Sequence, residues 1–153
     1  MTATINDIDQ FELIYTLAES GHEFVRDEDD ANRWRAAVND PRVGRIDLVA
    51  EMRPDGVQLQ AAAASWKTGL TKKSKAAVDL YLPAAQRQLG GVKLKAEDTT
   101  AFAEATAAAD KLDSELPAAI QAVVAACRQT RRELGALADP HLAAVYIETQ
   151  ERN

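Results

Sequence analysis

The sequence predicts a mainly α-helical protein, and three observations lead to this prediction. Alanine dominates the apolar residues, with runs at 61–64 and 107–109. Alanine has the highest helix propensity because its side chain loses no conformational entropy on folding. The 153 residues include only 7 glycines and 5 prolines, and aromatic residues make up only 5% of the chain. We therefore expect a core built from Ala, Leu, Val and Ile.

The length of the chain indicates one ordinary domain over residues 1–153. Within it, the residue patterns divide into two possible sub-layers. Residues 1–95 are predicted to combine helices with a β-hairpin. Residues 96–153 are predicted to form a helical hairpin followed by a tail.

The N-terminal part is predicted to begin with two helices. An asparagine or aspartate at 6–7 can cap the first helix, and Gly21 can end it. Asp30 would cap a short second helix over 31–38, with Trp34 and Val38 on one face. The apolar residues that predict the first helix recur at three- and four-residue steps: Ile8, Phe11, Ile14, Tyr15 and Ala18.

The hydrophobic period changes over residues 45–61, and we interpret this segment as a short β-hairpin. Apolar residues alternate with polar ones from Ile46 to Met52 and again from Val57 to Ala61. The intervening Arg-Pro-Asp-Gly at 53–56 has the residues of a tight turn, since proline fixes φ and glycine accepts positive φ. A short helix over 46–52 is the alternative, because residues 46, 49 and 52 are also helically spaced.

The rest of the chain is predicted to be helical. One helix runs from Thr71, kinks at Pro83 and ends at the glycine pair 90–91, and a connector spans 92–96. Asp98 or Thr99 would cap a helix that carries apolar residues at 102, 105, 109 and 112. Ser114 would cap the next helix, which has Pro117 in its first turn. A last short helix begins at Pro140.

The last long helix carries an apolar stripe that exceeds what a two-helix hairpin covers, so we expect it to be buried, either within the chain or at an interface. A second basic group, Arg128, Arg131 and Arg132, lies in the C-terminal half of the same helix, where cations interact favourably with the helix dipole. The candidate interface residues of the stripe are Leu116, Ile120, Val123, Cys127 and Leu134.

The charge is unevenly distributed along the chain. The net charge is −6, yet residues 57–96 carry seven basic residues and one acidic residue between two acidic flanks. This basic segment indicates a solvated helix face, a contact with an acidic protein, or a contact with nucleic acid through phosphates and stacked aromatic rings. Its candidate contact residues are Trp66, Lys67, Lys72, Lys73, Lys75, Arg87, Lys93 and Lys95.

The sequence contains no recognisable catalytic, cofactor or metal-binding pattern. His22 is not followed by a second histidine at the spacing of a zinc protease. The acidic run at 27–30 lacks the glycine and glutamate of a calcium loop, and carboxylates there would favour the dipole of the following helix. Cys127, the single cysteine, is predicted to be a small buried apolar residue. We therefore predict no cofactor and no enzymatic activity.

Two functional hypotheses follow from these patterns. The first is a non-catalytic protein that binds a protein partner or self-associates, as an assembly subunit does. The second is a nucleic-acid-associated accessory protein that uses the basic segment 66–95. The most apolar window, residues 116–127, is too short to span a membrane, so we expect a cytoplasmic protein. Its alanine- and arginine-rich composition indicates a bacterial or phage origin.

Overall fold

The structure is a computed structural model that describes residues 10–152. These residues form four α-helices, six β-strands and one short 3₁₀ turn, Ala109–Lys111. The helices are α1 (Gln10–Glu19), α2 (Lys72–Gln86), α3 (Leu112–Ala136) and α4 (Pro140–Arg152). The strands are β1 (Val25–Arg26), β2 (Arg33–Asp40), β3 (Gly44–Arg53), β4 (Gly56–Ser65), β5 (Lys93–Glu97) and β6 (Thr100–Ala108).

The predicted fold class is wrong, because the strands form one antiparallel sheet at the centre of the fold. The strand order is β1-β2-β3-β4-β6-β5. Of the described residues, 46% are helical and 31% are in strands, so this is an α+β fold. The sheet joins strands from both predicted sub-layers, since β6 lies between β4 and β5.

The predicted hairpin over 45–61 is confirmed, and the alternative helix over 46–52 is wrong. Strands β3 and β4 pair from Leu48 opposite Ala61 to Arg53 opposite Gly56. Gly56 also meets the neighbouring strand closely, since a Cβ atom there would lie 2.1 Å from the carbonyl oxygen of Ala107. Gly56 does not adopt a positive φ, so it is the close approach of β4 to β6 that requires glycine here.

The predicted helix over 31–38 is wrong, because these residues belong largely to β2. Trp34 and Ala36 are buried, whereas Arg35 and Ala37, which alternate with them, are exposed. This alternation has the period of a strand. The eight-residue pairing with β3 and burial of the indole outweigh the helix propensity of the two alanines.

The predicted helix over 99–112 is also wrong, and with it the C-terminal helical hairpin. Residues 100–108 form β6, which pairs with β4 and with β5, the predicted connector. The alanines at 101, 103, 105 and 107 are all buried. Alanine fills most positions of this segment, so its hydrophobic pattern is compatible with both periods. Because alanine side chains are small, the helix above can lie close to the strand.

The other predicted helices are present. The predicted cap at 6–7 and Ile8 lie outside the described residues, and Gln10–Glu19 are helical as predicted. The hydroxyl oxygen of Thr71 caps α2 by accepting a hydrogen bond from the backbone N–H of Ser74 at 3.1 Å. Helix α3 begins at Leu112, so Ser114 lies inside it and does not cap it, and Pro117 is its sixth residue and not in its first turn. Pro140 is the first residue of α4.

The helices cover one face of the sheet and leave the other face open. Helix α3 lies across β4 and β6, and α1 packs against α3. Helix α2 contacts β5, and α4 packs on α2, where the rings of Tyr81 and Tyr146 meet edge to face at 6.1 Å. The uncovered face is polar and includes an ion pair of 2.9 Å between Arg33 and Glu51. Among residues 10–152, no helix is long and apolar enough to cross a membrane.

Arg131 of α3 connects two strand ends that do not pair with each other. The β3–β4 ladder stops at Leu48 and Ala61, and a bulge interrupts β4 between Ala62 and Ala64. The Arg131 guanidinium donates hydrogen bonds of 2.7–3.1 Å to four carbonyl oxygens in this gap, those of Val43, Arg45, Ala62 and Ala63. One side chain thus supplies donors where the sheet ladder has none.

Candidate partner-binding surface

The predicted interface residues on α3 face the interior of the chain. All five are buried, because this side of α3 lies on β4 and β6. The stripe is therefore the centre of the hydrophobic core, and a partner would have to displace the sheet to reach it. These residues are Leu116, Ile120, Val123, Cys127 and Leu134.

The aromatic residue of the predicted basic segment is also buried. Trp66 is only 6% exposed, and its indole N–H donates a hydrogen bond of 3.3 Å to the carbonyl oxygen of Leu134. Its ring therefore packs inside the fold and has no face open for stacking on a base. Tyr81 is likewise buried, and desolvation by its neighbours is the main reason that its pKa is raised.

The basic side chains of the segment lie in two separate groups. Lys72, Lys73 and Lys75 are exposed in the first turn of α2, and Lys67 precedes them in the loop after β4. Helix α2 has 15 residues and is therefore about 22 Å long. The length of this helix separates the first group from the second. The structure does not bring the eight predicted residues together into one patch.

The second group lies beyond the C-terminus of α2 and consists of Arg87, Lys93 and Lys95. The ammonium group of Lys95 lies 3.1 Å from a carboxylate oxygen of Glu104 and 3.1 Å from one of Glu97. Hydrogen bonding to these carboxylates, Glu104 foremost, raises the pKa of Lys95. The ammonium group of Lys95 is therefore already paired with two carboxylates of its own chain.

Two of the three arginines of α3 have roles in the fold. Arg131 bridges β3 and β4 as described above. The Arg128 Nε atom donates a hydrogen bond of 2.6 Å to the buried carboxylate of Asp40 at the end of β2. The sequence interpretation, a favourable interaction with the helix dipole, missed these contacts because it considered the helix without the sheet below it.

The described residues contain no cluster of three or more side chains that could hold a metal ion. Cys127 is buried against the sheet, and this burial raises the pKa of its thiol to about 11. A thiol with so high a pKa is a poor nucleophile at neutral pH, since the thiolate is the reactive form.

The surface that stands out is the outer side of α1. Leu13 and Leu17 face the core, whereas Phe11, Ile14 and Tyr15 are 75%, 51% and 60% exposed. The apolar residues whose spacing predicted this helix therefore lie mainly on its exposed side. The buried side is formed by other residues, among them Leu13 and Leu17. The Tyr15 hydroxyl interacts with Glu19, and this hydrogen bond raises the pKa of Tyr15.

A cavity of about 430 Å³ opens beside this exposed helix face. It lies between the end of α1 and the sheet, and its wall is mostly apolar. We call the cavity and the exposed α1 residues together the α1 groove. The residues that line the cavity are Ile14, Leu17, Ala18, Gly21, His22, Glu23, Phe24 and Trp34.

The sheet edge next to the groove is largely unpaired. Strand β1 has only two residues and pairs with β2 at Trp34 and Arg35. Within the described part of the chain, no strand lies on the outer edge of β2 beyond Arg35, although β2 continues to Asp40. An extended segment of another chain could therefore form backbone hydrogen bonds along this edge.

Sequence reasoning missed the α1 groove, although part of its signal was visible. Helix α1 has apolar residues on two sides, one containing Leu13 and Leu17 and the other Phe11, Ile14 and Tyr15. A short helix that is apolar on more than one side contacts more than one partner surface or exposes one of its sides. The cavity was not predicted, because Trp34 in its wall belongs to β2 and the sequence predicts a helix for that segment.

No family model matches the chain, and no curated protein sequence matches it. Solved structures do share the fold. One chain of the heterodimeric ExoU-SpcU complex from the type III secretion system of Pseudomonas aeruginosa is 21% identical, with a TM-score of 0.51, over 82% of this chain and 97% of that chain.

Two further structures have the same arrangement of elements. A chain of the ExsC-ExsE complex is 13% identical with a TM-score of 0.58, over 83% of this chain and 96% of that chain. YbjN from E. coli is 9% identical with a TM-score of 0.58, over 83% of this chain and 94% of that chain. At these identities the likeness establishes the fold, and two of the three similar chains come from complexes of two proteins.

Proposed function

We propose that the protein is a non-catalytic binding protein that holds an apolar segment of a partner protein in the α1 groove. The observation that carries this proposal is the exposure of Ile14 and Tyr15 beside an open apolar cavity. Contiguous exposed apolar surface is unfavourable in water, and on a folded protein it commonly marks an interaction site.

The two edges of the sheet support the same location. At the β5 edge, lysines at 93 and 95 flank Leu94, whose backbone N–H donates to the side chain of Gln86 at 2.8 Å. Lysines and side-chain caps of this kind protect an edge against pairing. The β2 edge beside the α1 groove has an exposed Ala37 and no strand over residues 36–40, so a bound segment can pair there.

The solved structures with this fold give independent support. ExoU-SpcU and ExsC-ExsE are both complexes of two different proteins. A fold that occurs in such complexes is compatible with a role in holding a partner, although function depends on the particular surface. In this chain that surface is the α1 groove.

Site-specific photo-cross-linking in the native host tests the proposal. With p-benzoylphenylalanine at position 15, we expect one discrete cross-linked partner. At Leu142, which is also exposed but lies on α4, we expect none. Ile14→Glu should abolish the adduct without changing the circular dichroism spectrum, because the side chain of residue 14 is half exposed. Equal adducts at both positions, or an adduct that persists in Ile14→Glu, would refute the proposed surface.

A further inference from the structure

The charges around the α1 groove indicate the chemistry of the segment that it binds. Residues 11–32 contain seven carboxylates and one arginine. On α1, Glu12 and Glu19 are seven residues apart and therefore lie on the same side of the helix, next to Tyr15. Glu23 lines the cavity. The apolar groove thus has acidic residues along its border.

The three carboxylates at the groove, those of Glu12, Glu19 and Glu23, have no basic partner in the described part of the chain. No lysine or arginine there lies within ion-pair distance of Glu12, Glu19 or Glu23, whereas Asp27 pairs with Arg35 at 2.9 Å. The single arginine of the segment, Arg26, is already engaged. Its guanidinium lies 5.4 Å from the centroid of the Trp34 ring, and its Nε atom donates to the carbonyl oxygen of residue 31 at 2.9 Å.

We infer that the partner segment is amphipathic and cationic, with apolar side chains that enter the α1 groove and lysines or arginines that meet its acidic border. This inference rests on the proposed function. Apolar burial would supply most of the affinity, and the charge complementarity would select the partner and raise the association rate.

A second copy of this chain is a weaker candidate for the occupant. Its densest group of exposed cations along the described chain lies in the first turn of α2, at Lys72, Lys73 and Lys75. No large apolar side chain is exposed in that turn, so this surface offers charge but nothing to fill the cavity. A separate segment that combines both chemistries matches the groove better.

Selection from a phage-displayed library of random 16-residue peptides tests the inference. Peptides that bind the wild-type protein and lose binding to Ile14→Glu should be enriched in lysine and arginine together with large apolar residues. Synthetic versions should bind at least about tenfold more weakly at 0.5 M than at 0.05 M NaCl, since exposed charges are screened by salt.

Paired charge reversals provide the matched control. Glu19→Lys with Glu23→Lys should weaken the binding of these peptides about tenfold at low salt. Asp79→Lys with Glu151→Lys changes the net charge equally at exposed positions on α2 and α4, and it should alter binding less than twofold. Circular dichroism and urea unfolding of all variants establish that the fold is retained.

The outcomes separate the inference from the proposed function. Peptides that need Ile14 but are neutral or acidic, and bind independently of salt, would overturn the cationic partner and leave the groove as a binding site. If no selected peptide depends on Ile14, both are overturned. A dimer in light scattering that dissociates in both Ile14→Glu and a Lys72→Glu, Lys73→Glu, Lys75→Glu variant would show that a second copy occupies the groove.

Discussion

Arg131 occupies the gap between the diverging ends of β3 and β4, and its donors replace a stretch of sheet ladder. Each of its hydrogen bonds goes to a backbone carbonyl oxygen in the gap between β3 and β4, where the two strands no longer pair with each other. Carbonyl groups left without donors in a partly buried gap destabilise the fold. A residue that looked like one of three helix-surface arginines therefore holds the sheet to α3.

We predict that Arg131→Met lowers the free energy of unfolding by about 1–3 kcal/mol, since it removes the donors and leaves their acceptors in place. Urea unfolding monitored by circular dichroism measures this loss. Arg132→Met is the matched control, because Arg132 is exposed, and it should change stability by less than about 0.5 kcal/mol. Equal effects of the two variants would show that the bridge contributes nothing.

The carboxyl group of Asp40 makes the stability of the fold depend on pH. Its buried carboxylate accepts hydrogen bonds from Arg128 at 2.6 Å and from the backbone N–H groups of Arg42 at 2.8 Å and Val43 at 3.2 Å. The bond from Arg128 is the largest cause of the lowered pKa of Asp40, and burial partly opposes it. A carboxyl whose pKa is lower in the folded state stabilises the fold at neutral pH, and this contribution is lost as the pH falls through that pKa.

We predict that Asp40→Asn destabilises the protein at pH 7, and that its difference from the wild type shrinks below about pH 4, where the carboxyl of the unfolded chain becomes protonated. Urea midpoints at pH 7 and pH 3 measure both quantities. Asp98→Asn is the control, since Asp98 is exposed with a φ of 51° that asparagine also accepts. A difference that grows as the pH falls would contradict this role of Asp40.

At the scale of elements, the sequence predicts the β3–β4 hairpin, α2 and α3 because each has a local signal. The hairpin has alternating residues around Pro54 and Gly56, α2 has Thr71 as its N-cap, and α3 has apolar residues at three- and four-residue steps. Strands β2 and β6 lack such signals. Their alanines favour a helix locally, and only pairing with distant strands, such as β6 with β4 about 45 residues away in sequence, decides their conformation.

The close contact of β4 with β6 yields a prediction for Gly56. In Gly56→Ala, the new Cβ would lie 2.1 Å from the carbonyl oxygen of Ala107, so one strand must move. We expect a loss of at least about 2 kcal/mol in the free energy of unfolding. Gly90→Ala, where an added Cβ meets nothing within 4 Å, should unfold like the wild type. A stable Gly56→Ala would mean that the two strands are farther apart than described.

At the scale of the whole molecule, the fold separates the apolar surfaces of the chain into a core and a groove. The long apolar stripe of α3, the strongest apolar pattern in the sequence, is buried against the sheet. The weaker pattern of Phe11, Ile14 and Tyr15 remains outside. Spacing alone does not distinguish the two, because whether an apolar stripe is covered depends on elements far away in sequence.

The distribution of charge acquires a spatial meaning in the fold. Glu12 and Glu19 lie on α1 and Glu23 lines the cavity of the α1 groove, while the basic segment is divided between the two ends of α2 and the β5 edge. The α1 groove therefore combines acidic side chains with an open, mostly apolar cavity.

Hydrogen–deuterium exchange of the protein with and without its cross-linked partner or a selected peptide tests the central claim most directly. We predict that binding slows exchange in residues 11–25 and at the β2 edge, residues 36–40, and leaves the first turn of α2 unchanged. Slowed exchange confined to residues 66–95, or to the polar face of the sheet, would contradict the claim that the α1 groove is the binding surface.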